Sequence, residues 1–228
     1  MNMFKKLVSI VAAATMLTSS MAFTFSAGAA SVDPTDEVSA DAHLQANVQD
    51  GVVLHAFNWS YNAIKEALPS IAAAGYSTVQ TSPVQQPKDY TPSTDVAGQW
   101  WKLYQPVSMA IAQKSWLGTK AELTSLCAEA DKYGIKIIVD IVSNHMGSKV
   151  KTDPNSLSDD IKIYEPTMYN AKSTYFRNNS LQPDDGNVQK IVQGHLNGCP
   201  DLNTNNSQTQ NKVTALLKEM GYNAKRGN

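Results

Sequence analysis

The sequence is poor in cysteine and has no excess of charge of either sign. Two cysteines occur among 228 residues, which is too few for a disulfide scaffold. The 19 basic and 20 acidic residues leave a net charge of −1, and no block of like charge occurs. A basic nucleic-acid-binding face and a charged membrane-binding surface are therefore not expected. The apolar content of 42% is that of a globular protein and excludes a fibrous or disordered chain.

The first 29 residues have the pattern of a secretory signal peptide. A Lys5–Lys6 pair precedes Leu7–Phe25, an uncharged stretch of apolar and small residues, and Ala27–Ala29 supplies small residues for cleavage. A membrane anchor is the alternative, but threonine and serine dilute the apolar stretch. We therefore predict a signal peptide over 1–29, a flexible lead-in over 30–47 and a secreted, extracellular protein with no membrane attachment after cleavage.

Three later segments have the pattern of β-strands. They are Val52–Trp59, Ser77–Ser82 and Ile135–Val142. The third is a continuous apolar run, which is typical of a strand buried on both faces in a parallel sheet. Because these strands alternate with amphipathic helices, the sequence predicts a parallel α/β sheet, either a barrel or a doubly wound fold.

Each predicted helix has a start signal and a glycine at its end. Ser60 caps the first helix, Thr119–Glu122 forms a capping box for the second, and Ser207–Gln210 opens the third. Apolar residues follow each start at helical spacing. The helices are expected to end at Gly75, Gly134 and Gly221. Cys127 lies on the second helix and Cys199 in a loop; the sequence leaves their pairing open, and unpaired buried thiols are the safer expectation.

Two long connections interrupt this pattern at the carboxyl ends of strands. Pro83–Gly118 is rich in tryptophan and tyrosine, and Ser143–Asn206 is dominated by asparagine, aspartate, serine and glycine. Loops of such length are uncommon in compact domains unless they are functional or form an inserted domain. Sites of parallel α/β proteins lie at this end of the sheet.

Polar groups close the third predicted strand. Asp140 and Asn144 share one face of that strand by alternation, and His145 follows on the turn. Such oxygen and nitrogen atoms suit a sugar or a hard cation, although Asp and Asn at a strand end are more often turn residues. The aromatic group within Gln99–Gln105 suits the apolar face of a sugar, but it is equally suited to core packing.

Six short motifs in this order resemble the α-amylase family of glycoside hydrolases. They are Leu54–Ser60 (LHAFNWS), Gly75–Pro83 (GYSTVQTSP), Trp100–Ser108 (WWKLYQPVS), Trp116–Thr119 (WLGT), Asp140–His145 (DIVSNH) and Gly198–Thr204 (GCPDLNT). The resemblance runs from about Val52 to Gly221. It implies a (β/α)8 TIM barrel, incomplete here with about three βα units: a first part of the barrel over 48–142, an inserted calcium-linked domain over 143–206, and the third barrel helix with a truncated end over 207–228.

The resemblance also implies the roles of individual residues. The residues that bind substrate would be Trp100, Trp101, Tyr104, Gln105 and His145. Asp140 would support the site without taking part in the reaction, and Asn144 and Asp201 would ligate a structural Ca²⁺. Met109 departs from the tyrosine that is frequent in the family, and no function is attached to Cys199. We interpret the other histidines as structural or solvent-exposed: His43, His55 and His195.

The activity implied is endo-hydrolysis of α-1,4-glucosidic bonds in starch, glycogen and malto-oligosaccharides by a retaining mechanism with two carboxyl groups, in a protein that is a monomer at full length. The family's Arg-x-Asp pattern, which carries the nucleophile, does not occur in this sequence. We therefore expect the nucleophile and the general acid beyond Asn228, and an inactive chain. The alternatives are another enzyme of this family, such as a transglycosylase or a debranching hydrolase, and a non-catalytic starch-binding protein.

Overall fold

The computed structural model describes residues 44–92, 98–150, 152–153, 155–177 and 186–224. The predicted signal peptide, most of the predicted lead-in, His43 and the last four residues lie outside these ranges. Within them, no helix has both the length and the apolar character needed to cross a bilayer.

Three parallel strands form the sheet, with the second in the centre. They are β1 (Val53–Ala56), β2 (Thr78–Thr81) and β7 (Lys136–Val139). The three strands pair without a register shift: Val53 lies opposite Thr78, and Thr78 lies opposite Lys136. The predicted parallel α/β sheet is thus confirmed, and the described residues do not close it into a barrel.

The third strand is shorter than predicted. It ends at Val139, so the expectation that Asp140, Val142 and Asn144 lie on one strand is wrong. The physical reason is that β2 ends at Thr81 and offers no further ladder partner. After Val139 the chain is held instead by single hydrogen bonds, such as that from the Val84 amide to the Asp140 carbonyl at 3.3 Å.

Two helices cover the sheet and begin where their caps predict. They are α1 (Tyr61–Ala73) and α2 (Lys120–Lys132). The Ser60 hydroxyl accepts the Ala63 amide at 3.2 Å. Thr119 and Glu122 cap each other: the Thr119 hydroxyl accepts the Glu122 amide at 3.1 Å, and the Glu122 carboxylate accepts the Thr119 amide at 2.6 Å. Both helices end before a glycine in the left-handed region, Gly75 (φ 82°) and Gly134 (φ 66°).

The last helix continues beyond its predicted end. It spans Ser207–Ala224, and Gly221 lies inside it. The expectation that Gly221 ends the helix is wrong, because its backbone does not adopt the left-handed conformation of a helix-terminating glycine. We call this helix α7.

The two long connections contain regular structure. The first carries two antiparallel pairs, β3 (Gln85–Pro87) with β4 (Pro106–Ile111) and β5 (Lys114–Ser115) with β6 (Gly118–Thr119). It also carries a short 3-10 helix, Trp100–Lys102. The second carries four short helices: α3 (Asp159–Tyr164), α4 (Pro166–Asn170), α5 (Lys172–Tyr175) and α6 (Val188–Gln193).

The buried apolar side chains form two clusters. The first lies between the sheet and its helices and includes Ile64, Leu68, Val79 and Leu126. The second joins β4 to the second connection, with core residues Val107, Met109, Met146, Ile161, Met168 and Leu202. Each fully buried side chain of this size contributes about 1.5–3 kcal/mol to stability. Packing against the second connection therefore stabilises the position of β4, which itself belongs to the first connection. Both cysteines are unpaired, with Cys199 buried and Cys127 half-buried.

Candidate functional site

A tyrosine and an aspartate from different connections meet at the carboxyl end of the sheet. The Tyr104 hydroxyl interacts with the Asp140 carboxylate. Burial, together with the negative charge and hydrogen bond of Asp140, raises the pKa of Tyr104 to about 12. The tyrosine is therefore neutral at physiological pH.

His145 binds the same tyrosine through the backbone. Its Nε2 lies 2.9 Å from the Tyr104 carbonyl oxygen, which requires a proton on Nε2 and leaves Nδ1 as an acceptor. The Asn144 amide nitrogen lies 3.4 Å from Nδ1. Burial lowers the pKa of His145, so the ring is neutral at pH 7. The turn after β7 and the segment before β4 are thus tied together at two points, Tyr104–Asp140 and Tyr104–His145.

An aromatic cluster extends from this pair towards solvent. The Phe57 ring lies 5.6 Å from Trp100 and 6.5 Å from Tyr104, nearly parallel to the latter. Trp100 meets Tyr104 edge-on at 6.2 Å. Trp100 is 46% exposed and Phe57 38% exposed. Phe57 is not among the site residues predicted from the sequence; its position directly after the first strand is the signal that could have identified it.

Trp101 lies beside the cluster and is held by two lysines. The Nζ atoms of Lys88 and Lys102 lie 5.9 and 5.7 Å from its ring centroid, within the range of cation–π attraction. Both lysines also pair with the Asp89 carboxylate, at 3.9 and 3.4 Å. The ring faces of Trp101 are therefore less available to a ligand than those of Trp100.

Gln105 lies at the inner edge of this region. Its backbone carbonyl accepts the Lys88 amide at 3.1 Å, and its amide donates to the Lys102 carbonyl at 3.0 Å. The side-chain oxygen is buried without a hydrogen-bond partner. A buried acceptor of this kind is unusual in a folded protein.

The two residues predicted to bind Ca²⁺ lie on paired segments. His145 and Asp201 form an antiparallel bridge, and the Leu202 amide donates to the Asn144 carbonyl at 2.9 Å. The Asp201 carboxylate is 3% exposed and lies 2.9 Å from Nε of Arg177. These atoms are misaligned for a hydrogen bond, so the contact is an ion pair. Burial outweighs Arg177 and raises the pKa of Asp201 to about 6.

This arrangement fits a divalent cation only in part. Asp201 and Asn144 supply hard oxygen donors, but Arg177 already neutralises the carboxylate. Among the residues that the structure describes, no group of three or more His, Cys, Asp or Glu side chains converges as a metal site. Ca²⁺ takes six to eight oxygen ligands, so these side chains would supply a minority of them.

Comparison with known proteins gives the family. A family model described as the alpha amylase catalytic domain matches residues 64–223. An α-amylase of Clostridium acetobutylicum is 43% identical over 182 residues, covering 79% of this chain and 22% of that protein. An α-amylase of Butyrivibrio fibrisolvens is 30% identical over 194 residues, covering 83% of this chain and 19% of that protein.

Solved structures share the fold. α-Amylase from Geobacillus thermoleovorans, complexed with acarbose, superposes with a TM-score of 0.59 at 17% identity, over 78% of this chain and 38% of that one. A mutant of α-amylase I from Eisenia fetida, complexed with maltohexaose, gives 0.58 at 22% identity, over 75% of this chain and 35% of that one.

The partial barrel and these matches place the chain among the families of glycoside hydrolases. The chain belongs to the α-amylase family. It spans 22% and 19% of the length of the two curated relatives named above.

Proposed function

We propose that this chain carries the substrate-binding part of an α-amylase that cleaves internal α-1,4-glucosidic bonds of starch, glycogen and malto-oligosaccharides. The observation that carries the proposal is the exposed aromatic cluster around Tyr104, whose backbone carbonyl lies 2.9 Å from His145 Nε2 at the carboxyl end of the sheet. The related fold of proteins complexed with maltohexaose and acarbose supports an oligosaccharide ligand.

The aromatic side chains provide the apolar contacts in this proposal. The Tyr104 ring stacks on the sugar next to the bond that is cleaved, and the exposed Trp100 ring extends the surface to a neighbouring sugar. Trp101 contributes through the part of its ring that Lys88 and Lys102 leave open. Phe57 supports Tyr104 and Trp100 from the β1 side.

The polar groups bind sugar hydroxyls. Both ring nitrogens of His145 have a partner, Nε2 at the Tyr104 carbonyl and Nδ1 at the Asn144 amide, and a sugar hydroxyl would replace the longer contact, that of Nδ1 with Asn144 at 3.4 Å. The unpartnered side-chain oxygen of Gln105 accepts another. Asp140 supports the site by orienting the Tyr104 hydroxyl, and it does not attack the sugar.

A retaining reaction needs two carboxyl groups about 5 Å apart across the glycosidic bond, one as nucleophile and one as acid. Asp140 is the acidic residue that directly follows a parallel strand in the described part of the chain, and its carboxylate already binds Tyr104. We therefore propose that the nucleophile and the acid lie outside the sequence given, and that these 228 residues bind glucan without hydrolysing it.

Two further properties belong to this proposal. Asn144 and Asp201 hold a structural Ca²⁺ together with ligands outside the described residues; the ion would screen the buried Asp201 carboxylate and join the second connection to the turn after β7. The basic, apolar and small-residue pattern of the first 29 residues supports secretion. The expected state of the whole enzyme is a monomer.

Titration of maltohexaose into the purified chain, followed by tryptophan fluorescence and calorimetry, tests the binding proposal. Trp100→Ala should weaken binding about three- to ten-fold, the worth of one aromatic contact. The matched control is Trp116→Phe, because Trp116 contacts Tyr90 at 5.4 Å and binds the Thr91 carbonyl. Equal affinity of all three proteins, or no binding by the unchanged chain, would contradict the proposal.

A reducing-sugar assay on soluble starch tests the absence of hydrolysis. The unchanged chain and Asp140→Asn should both be inactive, because neither holds the two required carboxyl groups. Turnover that copurifies with the chain and disappears in Asp140→Asn would show a working carboxylate within these residues. Turnover that is equal in both would indicate a contaminating amylase.

A further inference from the structure

Gln85 on β3 is fully buried, and its side-chain amide makes three hydrogen bonds to backbone groups. Its Oε1 accepts the Val142 amide at 2.7 Å. Its Nε2 donates to the Val142 carbonyl at 3.0 Å and to the Ser108 carbonyl at 3.1 Å. The Met109 sulfur lies 3.7 Å from the same nitrogen. One side chain thus binds both backbone groups of Val142 and links it to β4.

These hydrogen bonds take the place of those that a neighbouring strand would make to Val142. The β2–β7 ladder stops at Thr81 and Val139, and the chain beyond Val139 has no regular strand partner. A backbone amide and a backbone carbonyl that are buried without partners are costly. A glutamine side chain carries the same donor and acceptor as a peptide group, so Gln85 pairs with Val142 as a strand backbone would, three residues after β7 has ended.

Val142 lies midway between the groups of the glucan site. Asp140, two residues earlier, interacts with the Tyr104 hydroxyl, and His145, three residues later, binds the Tyr104 carbonyl. Between these two contacts, the Gln85 amide is the side chain that fixes the backbone from the β3 side. A shift of Val142 would therefore move both contacts with Tyr104.

We infer that Gln85 is a positioning residue of this site: its side-chain amide acts as a strand partner for Val142 and sets Asp140 and His145 against Tyr104. The expected effect of Gln85 on ligand binding rests on the proposed glucan-binding function. The expected effect of Gln85 on Tyr104 does not. Gln86 provides the matched control, because it is the adjacent residue on β3, is also buried, and its amide nitrogen has no hydrogen-bond partner.

The first measurement uses the unchanged chain. Hydrogen exchange should show the Val142 amide protected to the same degree as amides of β7, although Val142 lies outside any strand. Exchange of Val142 at the rate of an unprotected amide would overturn the inference, because the bond to Gln85 would then not persist in solution.

The second measurement compares Gln85→Met with Gln86→Met, using nuclear magnetic resonance with tyrosine-selective isotope labelling. The Tyr104 resonance is assigned with Tyr104→Phe. In Gln85→Met the pKa of Tyr104 should fall from about 12 towards its ordinary value of 10, because its contact with Asp140 loosens, and it should stay unchanged in Gln86→Met. An unchanged Tyr104 pKa in a folded Gln85→Met would overturn the inference. If Gln85→Met does not fold, hydrogen exchange of the Val142 amide in the unchanged chain decides whether Gln85 holds Val142.

Maltohexaose binding separates the two proposals. Gln85→Met should weaken binding about ten-fold, and Gln86→Met should leave it unchanged. Absence of binding in the unchanged chain would contradict the proposed function, while Val142 exchange and the Tyr104 pKa would still decide the role of Gln85. Normal binding by a folded Gln85→Met would contradict the positioning role.

Discussion

Glu165, from the second connection, forms an ion pair with Lys212 on α7, with 2.6 Å between Oε2 and Nζ. Its other oxygen accepts the Met109 amide of β4 at 2.9 Å. A parallel arrangement lies two residues further along, where Glu219 accepts the Ile111 amide at 3.0 Å and pairs with Lys120. Two carboxylates thus bind the Met109 and Ile111 amides of β4, along an edge that pairs with no strand among the residues the structure describes.

We expect Glu165→Gln to destabilise the chain by about 2 kcal/mol, the usual cost of losing a charged hydrogen bond that is largely buried. Lys212 is about one-third exposed and regains some hydration, which keeps the loss below that of a fully buried pair. Urea unfolding followed by circular dichroism measures the change. Glu129→Gln is the control, because the Glu129–Lys132 pair lies at the surface, and an equal loss in both variants would contradict the structure.

Gly118 cannot accept a side chain at low cost. Its φ is 131°, and a Cβ would lie 2.9 Å from the ring of the buried Tyr61 and 2.7 Å from the Glu122 carboxylate that caps α2. We expect Gly118→Ala to cost about 2 kcal/mol in the same unfolding measurement. Gly98→Ala is the control, because no atom of the residues that the structure describes lies within 4 Å of the added Cβ. If Gly118→Ala loses less stability than Gly98→Ala, the turn at Gly118 adopts another conformation.

Tyr104 should lose its proton only at strongly alkaline pH, and Asp140 should be part of the reason. The pKa of Tyr104 is about 12 in the folded chain and 10 in the unfolded chain. The folded state therefore holds this proton more tightly, and stability falls as the pH rises from about 10 through 12. Asp140→Asn should lower the Tyr104 pKa and reduce this alkaline loss, although burial, the larger cause, remains. The labelled Tyr104 resonance reports it directly, and an unchanged pKa in Asp140→Asn would contradict the Tyr104–Asp140 interaction.

Calcium should bind this chain weakly. Asn144 and Asp201 supply two of the six to eight oxygens that the ion needs, and the Arg177 guanidinium competes for the carboxylate. Calorimetry with the chain and with Asp201→Ala measures the affinity. Submicromolar binding that Asp201→Ala abolishes would show that the site is complete within these residues.

Local features were predictable from the sequence because they depend on neighbouring residues. The hydroxyl of Ser60 and the Thr119–Glu122 pair specify where α1 and α2 begin, and Gly75 and Gly134 specify where they end. Gly221 resembles them in sequence but lies inside α7. Gly75 and Gly134 adopt the left-handed backbone conformation and Gly221 does not. The residues around Gly221 do not reveal this difference.

The sequence predicts residues of the candidate site but not the contacts between them. The resemblance to the α-amylase family named Tyr104, Asp140 and His145 as site residues. It could not indicate that Tyr104 binds both of the others, since these bonds join residues about forty positions apart. Phe57 was missed because an aromatic residue after a strand is ambiguous until its neighbours are known.

The sequence by itself determined the helix starts, the three parallel strands and the family, because caps, periodicity and motifs are encoded within short stretches of chain. Only the tertiary structure decided that β7 stops at Val139, that the Gln85 side chain takes over as its partner, and that Glu165 and Glu219 close the edge of β4. In each of these cases a buried backbone group needs a hydrogen-bond partner from a distant part of the chain. Which side chain reaches it depends on how the elements pack.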